Sequence, residues 1–169
     1  NAYVSNNYTL TTANSGSGAS SGNITSSPAG ITCGTSGTDC TENYSSGASV
    51  TLTAGTPPSN AAFLGWSGDG SSCDTNQTCT ISMSTSNKYV VANWARRYTV
   101  TVTNSNTAAG TVTGTEISCG TGCVTTLNSG SSITLTAAPT GTYQFTGWSG
   151  DAAFCGPNFT STSTVYSKK

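Results

Sequence analysis

The sequence predicts an all-β protein, built as two tandem small β-sandwich or β-grasp-like repeat domains with short disulfide-closed loops. Three observations predict it. Thr and Val alternate with period 2 over residues 9–11, 50–53, 99–103 and 133–136, and no stretch of about 11 residues or more carries a helical period. The second half of the chain repeats the first. The cysteines fall mostly in close pairs, Cys33/Cys40, Cys73/Cys79 and Cys119/Cys123.

Taken in order, residues 8–97 form a first repeat and residues 98–169 a second. Tyr8-Thr9-Leu10-Thr11 aligns with Tyr98-Thr99-Val100-Thr101, and Gly22-Asn23-Ile24-Thr25 with Gly110-Thr111-Val112-Thr113. Ile31-Thr32-Cys33-Gly34 aligns with Ile117-Ser118-Cys119-Gly120, and Val50-Thr51-Leu52-Thr53-Ala54 with Ile133-Thr134-Leu135-Thr136-Ala137. Phe63-Leu64-Gly65-Trp66-Ser67-Gly68-Asp69 returns as Phe145-Thr146-Gly147-Trp148-Ser149-Gly150-Asp151. Length differences fall in Gly/Ser-rich stretches between these blocks, where loops absorb insertions. Each full repeat reads as six or seven short strands joined by Gly, Asn and Pro turns. Ala95-Arg96-Arg97 is too short for a flexible linker.

The first copy runs on into an apolar strand, Asn87-Lys88-Tyr89-Val90-Val91-Ala92-Asn93-Trp94, whereas the second reaches Val165-Tyr166-Ser167-Lys168-Lys169 before that strand begins. Residues 1–7, Asn-Ala-Tyr-Val-Ser-Asn-Asn, match residues 87–93 without a gap at Asn1, Tyr3, Val4 and Asn7. The second repeat is therefore expected to lack its last strand. Ala2, Tyr3, Val4 and Ser5 are expected to serve as a donor strand for another copy.

Together these blocks carry a family likeness. Y-T-[LV]-T, G-x-[IV]-T, the Ser27-Pro28-Ala29-Gly30-Ile31-Thr32-Cys33-Gly34 turn, S-G-x-S-[VI]-T-L-T-A and F-x-G-W-S-G-D resemble the divergent B-repeat of internalin-type bacterial surface proteins. The resemblance covers nearly the whole chain twice. It implies small extracellular β-domains strung in tandem in secreted or surface-anchored proteins, acting as stalks or adhesive spacers. It hands over no catalytic residue.

Composition bounds the function. A formal net charge of −1 with only five Lys and Arg gives no basic footprint for nucleic acid. No apolar run is long enough to insert in a membrane as a helix. Seven cysteines and no His argue for disulfides over a zinc site, which wants four ligands and often a C-x-x-C spacing. Local pairs Cys33–Cys40, Cys73–Cys79 and Cys119–Cys123 are expected, each contributing roughly 2 kcal/mol on the chain-entropy model. They imply an oxidising, secreted or cell-surface location, and an opening Asn rather than Met fits a processed, exported chain. Cys155 is left over, because Ser161 stands where the counterpart of Cys79 would be; it is expected as an unpaired thiol or an intersubunit bond.

The two G-W-S-G-D motifs admit two readings. Trp66 and Trp148 could stack on sugars with Asp69 and Asp151 as polar partners, making host or surface glycans a binding target. Alternatively Trp66, Trp148, Phe63 and Phe145 are core residues, with Ser-Gly-Asp forming the turn that follows; recurrence of the motif favours this second reading. Six acidic residues and no His leave no triad and no evident carboxylate pair, so an enzyme is not expected, nor any cofactor or metal. Five Asn-x-Ser/Thr sequons, at Asn7, Asn23, Asn43, Asn76 and Asn158, fit surface exposure only. The leading expectation is a structural subunit of an extracellular fibre, polymerised from identical copies by donor-strand complementation. A stalk fragment of a longer repeat array and a monomeric adhesive or carbohydrate-binding module are the alternatives.

Overall fold

A computed structural model describes residues 6–119, 122–155 and 160–164. The chain divides into two compact units, Asn1–Arg97 and Tyr98–Lys169. The donor-strand residues Ala2, Tyr3, Val4 and Ser5 lie outside the described residues, as do residues 165–169.

The first unit is a two-sheet sandwich. Its strands are β1 (Asn7–Ser15), β2 (Asn23–Ser27), β3 (Thr32–Gly34), β4 (Gly37–Asp39), β5 (Thr41–Ser45), β6 (Ala48–Ala54), β7 (Ala61–Gly68), β8 (Thr78–Met83) and the start of β9 (Lys88–Thr103). Nine strands replace the six or seven expected. The excess comes from residues 32–45, where the short β3–β4 hairpin and β5 crowd around the Cys33–Cys40 disulfide. One sheet runs β4-β3-β2-β6-β8; in the other, β5, β1, β9 and β7 lie side by side. The contact between β1 and β9 is parallel, with Leu10 opposite Lys88 and Ser15 opposite Asn93.

Strict alternation builds the core between the sheets. Val50, Leu52 and Ala54 of β6 and Cys79, Ile81 and Met83 of β8 face inward, while their neighbours stay outside. From the opposite sheet come Leu10, Tyr44, Trp66, Val90, Ala92 and Trp94. Trp94 is among the largest fully buried side chains, and its Nε1–H donates to Asn14 Oδ1 at 2.8 Å. Each buried aliphatic contributes about 1.5–3 kcal/mol.

Tyr44 lies in the same core. Its hydroxyl sits 2.8 Å from Ser26 Oγ and donates to Pro28 O at 3.2 Å. Burial, the largest influence, pushes the phenol above its usual value of 10.0; the Ser26 bond opposes the rise, and the charges of Glu42 and Asp39 add to it. The fold therefore holds the neutral phenol. This contribution is complete below the unfolded value near 10 and is lost as pH climbs through the raised one. Tyr44→Phe should remove that alkaline loss and cost roughly 1 kcal/mol at neutral pH. Urea melts at pH 7 and above pH 10 measure both, and equal alkaline slopes for the two proteins would contradict the assignment.

In the second unit, β10 (Gly110–Gly114), β11 (Ile117–Cys119), β13 (Ser132–Pro139) and β14 (Thr160–Thr164) form a sheet in the order β11-β10-β13-β14. β12 (Gly122–Asn128) pairs with β9. The register places Ser161 opposite Leu135 as Cys79 is opposite Leu52. Val102, Val112, Ile117, Cys119, Leu127, Ile133 and Leu135 make the core, and none is less than 3% exposed, whereas many in the first core are at 0%. A disulfide joins Cys119 of β11 to Cys123 of β12, and Cys155 takes part in none of the three disulfides.

Candidate functional site

In the first repeat, residues 88–93 form a strand held on both sides. β1 lies parallel on one edge, and β7 antiparallel on the other, with Trp66 opposite Ala92 and Gly68 opposite Val90. A bulge between Phe63 and Gly65 turns Trp66 into the core, where its Nε1–H donates to Asn76 O at 2.8 Å. Trp66 is 5% exposed and its ring meets Phe63 edge-on at 5.3 Å. No face of Trp66 is open to a sugar, so the stacking reading is overturned for this copy: the hydrophobic gain of an indole goes to the core. Asp69 likewise is occupied by the fold. Its carboxylate accepts the Tyr89 N–H at 2.8 Å and lies 3.5 Å from Lys88 Nζ.

The second repeat has the same motif, and among the described residues no strand corresponds to residues 88–93. On β9, β1 pairs with residues 88–93 and β7 with residues 90–96, and β12 pairs with the same long strand. Among the described residues, the opposite edge of residues 98–103 has no strand against it. Residues 143–149, the counterpart of β7, form no strand either. The physical reason is direct: β7 has β9 as its sole sheet neighbour, and an extended segment without a ladder partner gains no backbone bonds. Phe145 and Trp148 still keep their edge-on contact at 5.1 Å. Trp148, however, is only partly buried against the second core, a correction to its expected core burial.

Between residues 98–103 and residues 143–149 lies an open groove of about 1190 Å³. Tyr98, Val100 and Val102 line one wall and Phe145 and Trp148 the other. Val112, Ile133 and Leu135 border the same groove and belong to the core of this unit. The groove is lined by polar as well as apolar side chains, and it lies between the sequence counterparts of β1 and β7, the two strands that flank residues 88–93 in the first repeat. The walls of this groove are not legible in the sequence, because the lack of a strand over residues 143–149 is a tertiary consequence. Among the described residues no three His, Cys, Asp or Glu side chains converge on a metal position.

A family model described as the divergent InlB B-repeat domain matches residues 8–97 and again residues 98–168. The chain belongs to this family. No curated protein and no solved structure matches it. The two matches meet where the compact units divide, so each unit is one B-repeat. The B-repeat assignment explains the recurrence of the motif as a feature of the domain type, and it identifies the chain as tandem repeats of a surface-protein domain. Among the described residues, no helix of these B-repeats is long and apolar enough to cross a membrane.

Proposed function

We propose that the chain is a non-catalytic structural module of an extracellular assembly, whose second B-repeat is completed by an extended strand from the head of another copy. The observation that carries this reading is the open groove between residues 98–103 and 143–149. A core open at one edge is a poorly protected state for a β-domain. Filling it satisfies backbone groups at about 0.5–1.5 kcal/mol per hydrogen bond, and each buried side chain adds about 1.5–3 kcal/mol. Strand addition of this kind is a recurring mode of peptide recognition. A contact joining unlike ends is heterologous and propagates into a filament unless it closes on itself. The three disulfides and the family support a secreted or cell-surface setting.

One observation favours a second reading. β9 passes without interruption from the first B-repeat into the second, serving as the last strand of one and the first of the next. A following segment of a longer stalk could close the second repeat in the same way. Light scattering and negative-stain microscopy of the purified chain separate the two. Strand donation between copies predicts filaments whose length grows with concentration, and loss of filaments on deleting residues 1–6. A concentration-independent monomer, or filaments that survive the deletion, would rule donation out and leave the stalk reading.

A further inference from the structure

In the first B-repeat the seat of Trp94 is built by residues far from it in sequence. Its Nε1–H donates to Asn14 Oδ1 at 2.8 Å, and its ring lies 5.0 Å from that of Phe63, which also meets Trp66. The other end of the Asn14 amide is engaged by the fold. Nδ2 donates to Cys33 O at 3.3 Å, which leaves the oxygen as the acceptor for the indole. Gly22 clears the polar edge of the ring, since a Cβ there would lie 2.6 Å from Trp94 Nε1. The loop after β1 takes the backbone, with Gly18 donating its N–H to Trp94 O at 3.1 Å.

The second repeat keeps the residues of this seat. Counted from the aligned Tyr8 and Tyr98, Asn104 stands at the position of Asn14; Gly110 aligns with Gly22 and Phe145 with Phe63. All three line the open groove. Asn104 Nδ2 donates to Gly110 O at 2.7 Å, so here too the amide nitrogen is engaged by the fold and the oxygen is the acceptor. That oxygen takes the Asn106 N–H at 3.1 Å and, with two lone pairs, has capacity for a second donor. Phe145 and Trp148 hold the edge-on geometry of Phe63 and Trp66, at 63° against 70°. The indole is what the second repeat does not supply. The chain's three tryptophans are Trp66, Trp94 and Trp148, and Trp94 is buried in the first repeat.

We infer that the groove contains an indole seat, and that its occupant is an extended peptide strand of the B-repeat last-strand pattern, Val-x-Ala-x-Trp, the pattern of Val90-Val91-Ala92-Asn93-Trp94. The tryptophan of that strand donates to Asn104 Oδ1 and packs on Phe145, as Trp94 does on Asn14 and Phe63. This rests on the reading that an added strand completes the second repeat, and it names the side chain by which the groove selects one. The seat lies one position beyond the seven residues over which the head of the chain matches residues 87–93, so it is a determinant additional to that match. A buried tryptophan in a fitted pocket is the kind of anchor that dominates a contact of this size.

The test offers strands to the full chain, diluted until light scattering shows monomers, and follows the fluorescence anisotropy of labelled synthetic peptides. The parent peptide is residues 87–96. One variant carries Trp94→Ala; in another the Trp94 indole nitrogen is methylated, which keeps the ring and removes the N–H. Changes confined to the peptide leave the fold of the protein untouched. The parent peptide should bind saturably, the Trp94→Ala peptide about tenfold or more weakly, and the methylated one roughly fivefold more weakly. An Asn104→Ala protein should bind the parent and methylated peptides alike. If the Trp94→Ala peptide binds as well as the parent, strand completion stands and the indole seat is wrong. If no peptide binds, completion by an added strand fails and the seat with it. If neither methylation nor Asn104→Ala changes binding, the role of Asn104 is overturned. Should Asn104→Ala misfold, the methylated peptide decides that point alone.

Discussion

Replacing Trp94 by alanine is expected to unfold the first B-repeat under conditions where the parent is stable. Trp94 is 1% exposed and packs its ring 5.0 Å from that of Phe63. Removing so large a buried side chain costs about 3–5 kcal/mol through lost transfer energy and the cavity left behind. The substitution also strips the partly buried Asn14 Oδ1 of its indole donor, and losing that hydrogen bond costs a further ~1 kcal/mol. Small domains have roughly 5–15 kcal/mol in total, so the sum takes most of it. Chemical denaturation followed by near-ultraviolet dichroism should show the transition of residues 8–97 moving to low denaturant. A loss under about 1 kcal/mol would mean that Trp94 is not the keystone that its burial indicates.

Reduction of the disulfides is the second large effect. Cys33–Cys40 and Cys73–Cys79 close loops with sequence separations of 7 and 6, and Cys119–Cys123 one of 4. On the loop-entropy model each contributes about 2 kcal/mol, so the first repeat, with two, should lose about 4–5 kcal/mol in reductant. Cys33 and Cys79 are also core residues, 3% and 1% exposed. Oxidised against reduced parent therefore measures the cross-link, and a paired Cys33→Ala and Cys40→Ala variant against the reduced parent measures the packing of the buried sulfur. Thermal melting with and without reductant measures the loss, and an unchanged melting temperature would show that the repeats do not depend on an oxidising compartment.

Much of this fold is legible in the sequence because its signals are local. The period-2 strands, the turn glycines and the close cysteine pairs each act over a few residues, so repeat boundaries and local cross-links follow from spacing. The larger strand count escaped because β3 and β4 are only three residues each, too short for alternation to register. The weight of Trp94 escaped for another reason. Its partner Asn14 is 80 residues away, and no local pattern tells an outer strand from a central one. The contact of Asp69 with Tyr89 is harder still to read. Asp69 looks like a turn residue, and its grip on Tyr89 exists only once strands distant in sequence are adjacent. The two motif copies make the point most sharply: Gly65–Gly68 lie in β7, whereas in the second copy Gly147, Trp148 and Ser149 lie in no strand and Gly150 and Asp151 open a 3-10 helix. Extended structure is granted by a neighbour as much as by the residues themselves.

The parallel pairing of β1 with residues 88–93 decides how the first repeat would bear tension. Parallel neighbours point the same way, so a pull at the start of β1 and at the far end of the paired segment drags them in opposite directions along their own axes. The hydrogen bonds joining Leu10–Lys88 through Ser15–Asn93 then lie across the applied force and must give way together. An antiparallel pair hung from one end would peel open one bond at a time. Stretched by its ends in an optical trap, this repeat should resist until a single abrupt rupture, and strand addition along residues 98–103 would give the second repeat the same shear geometry.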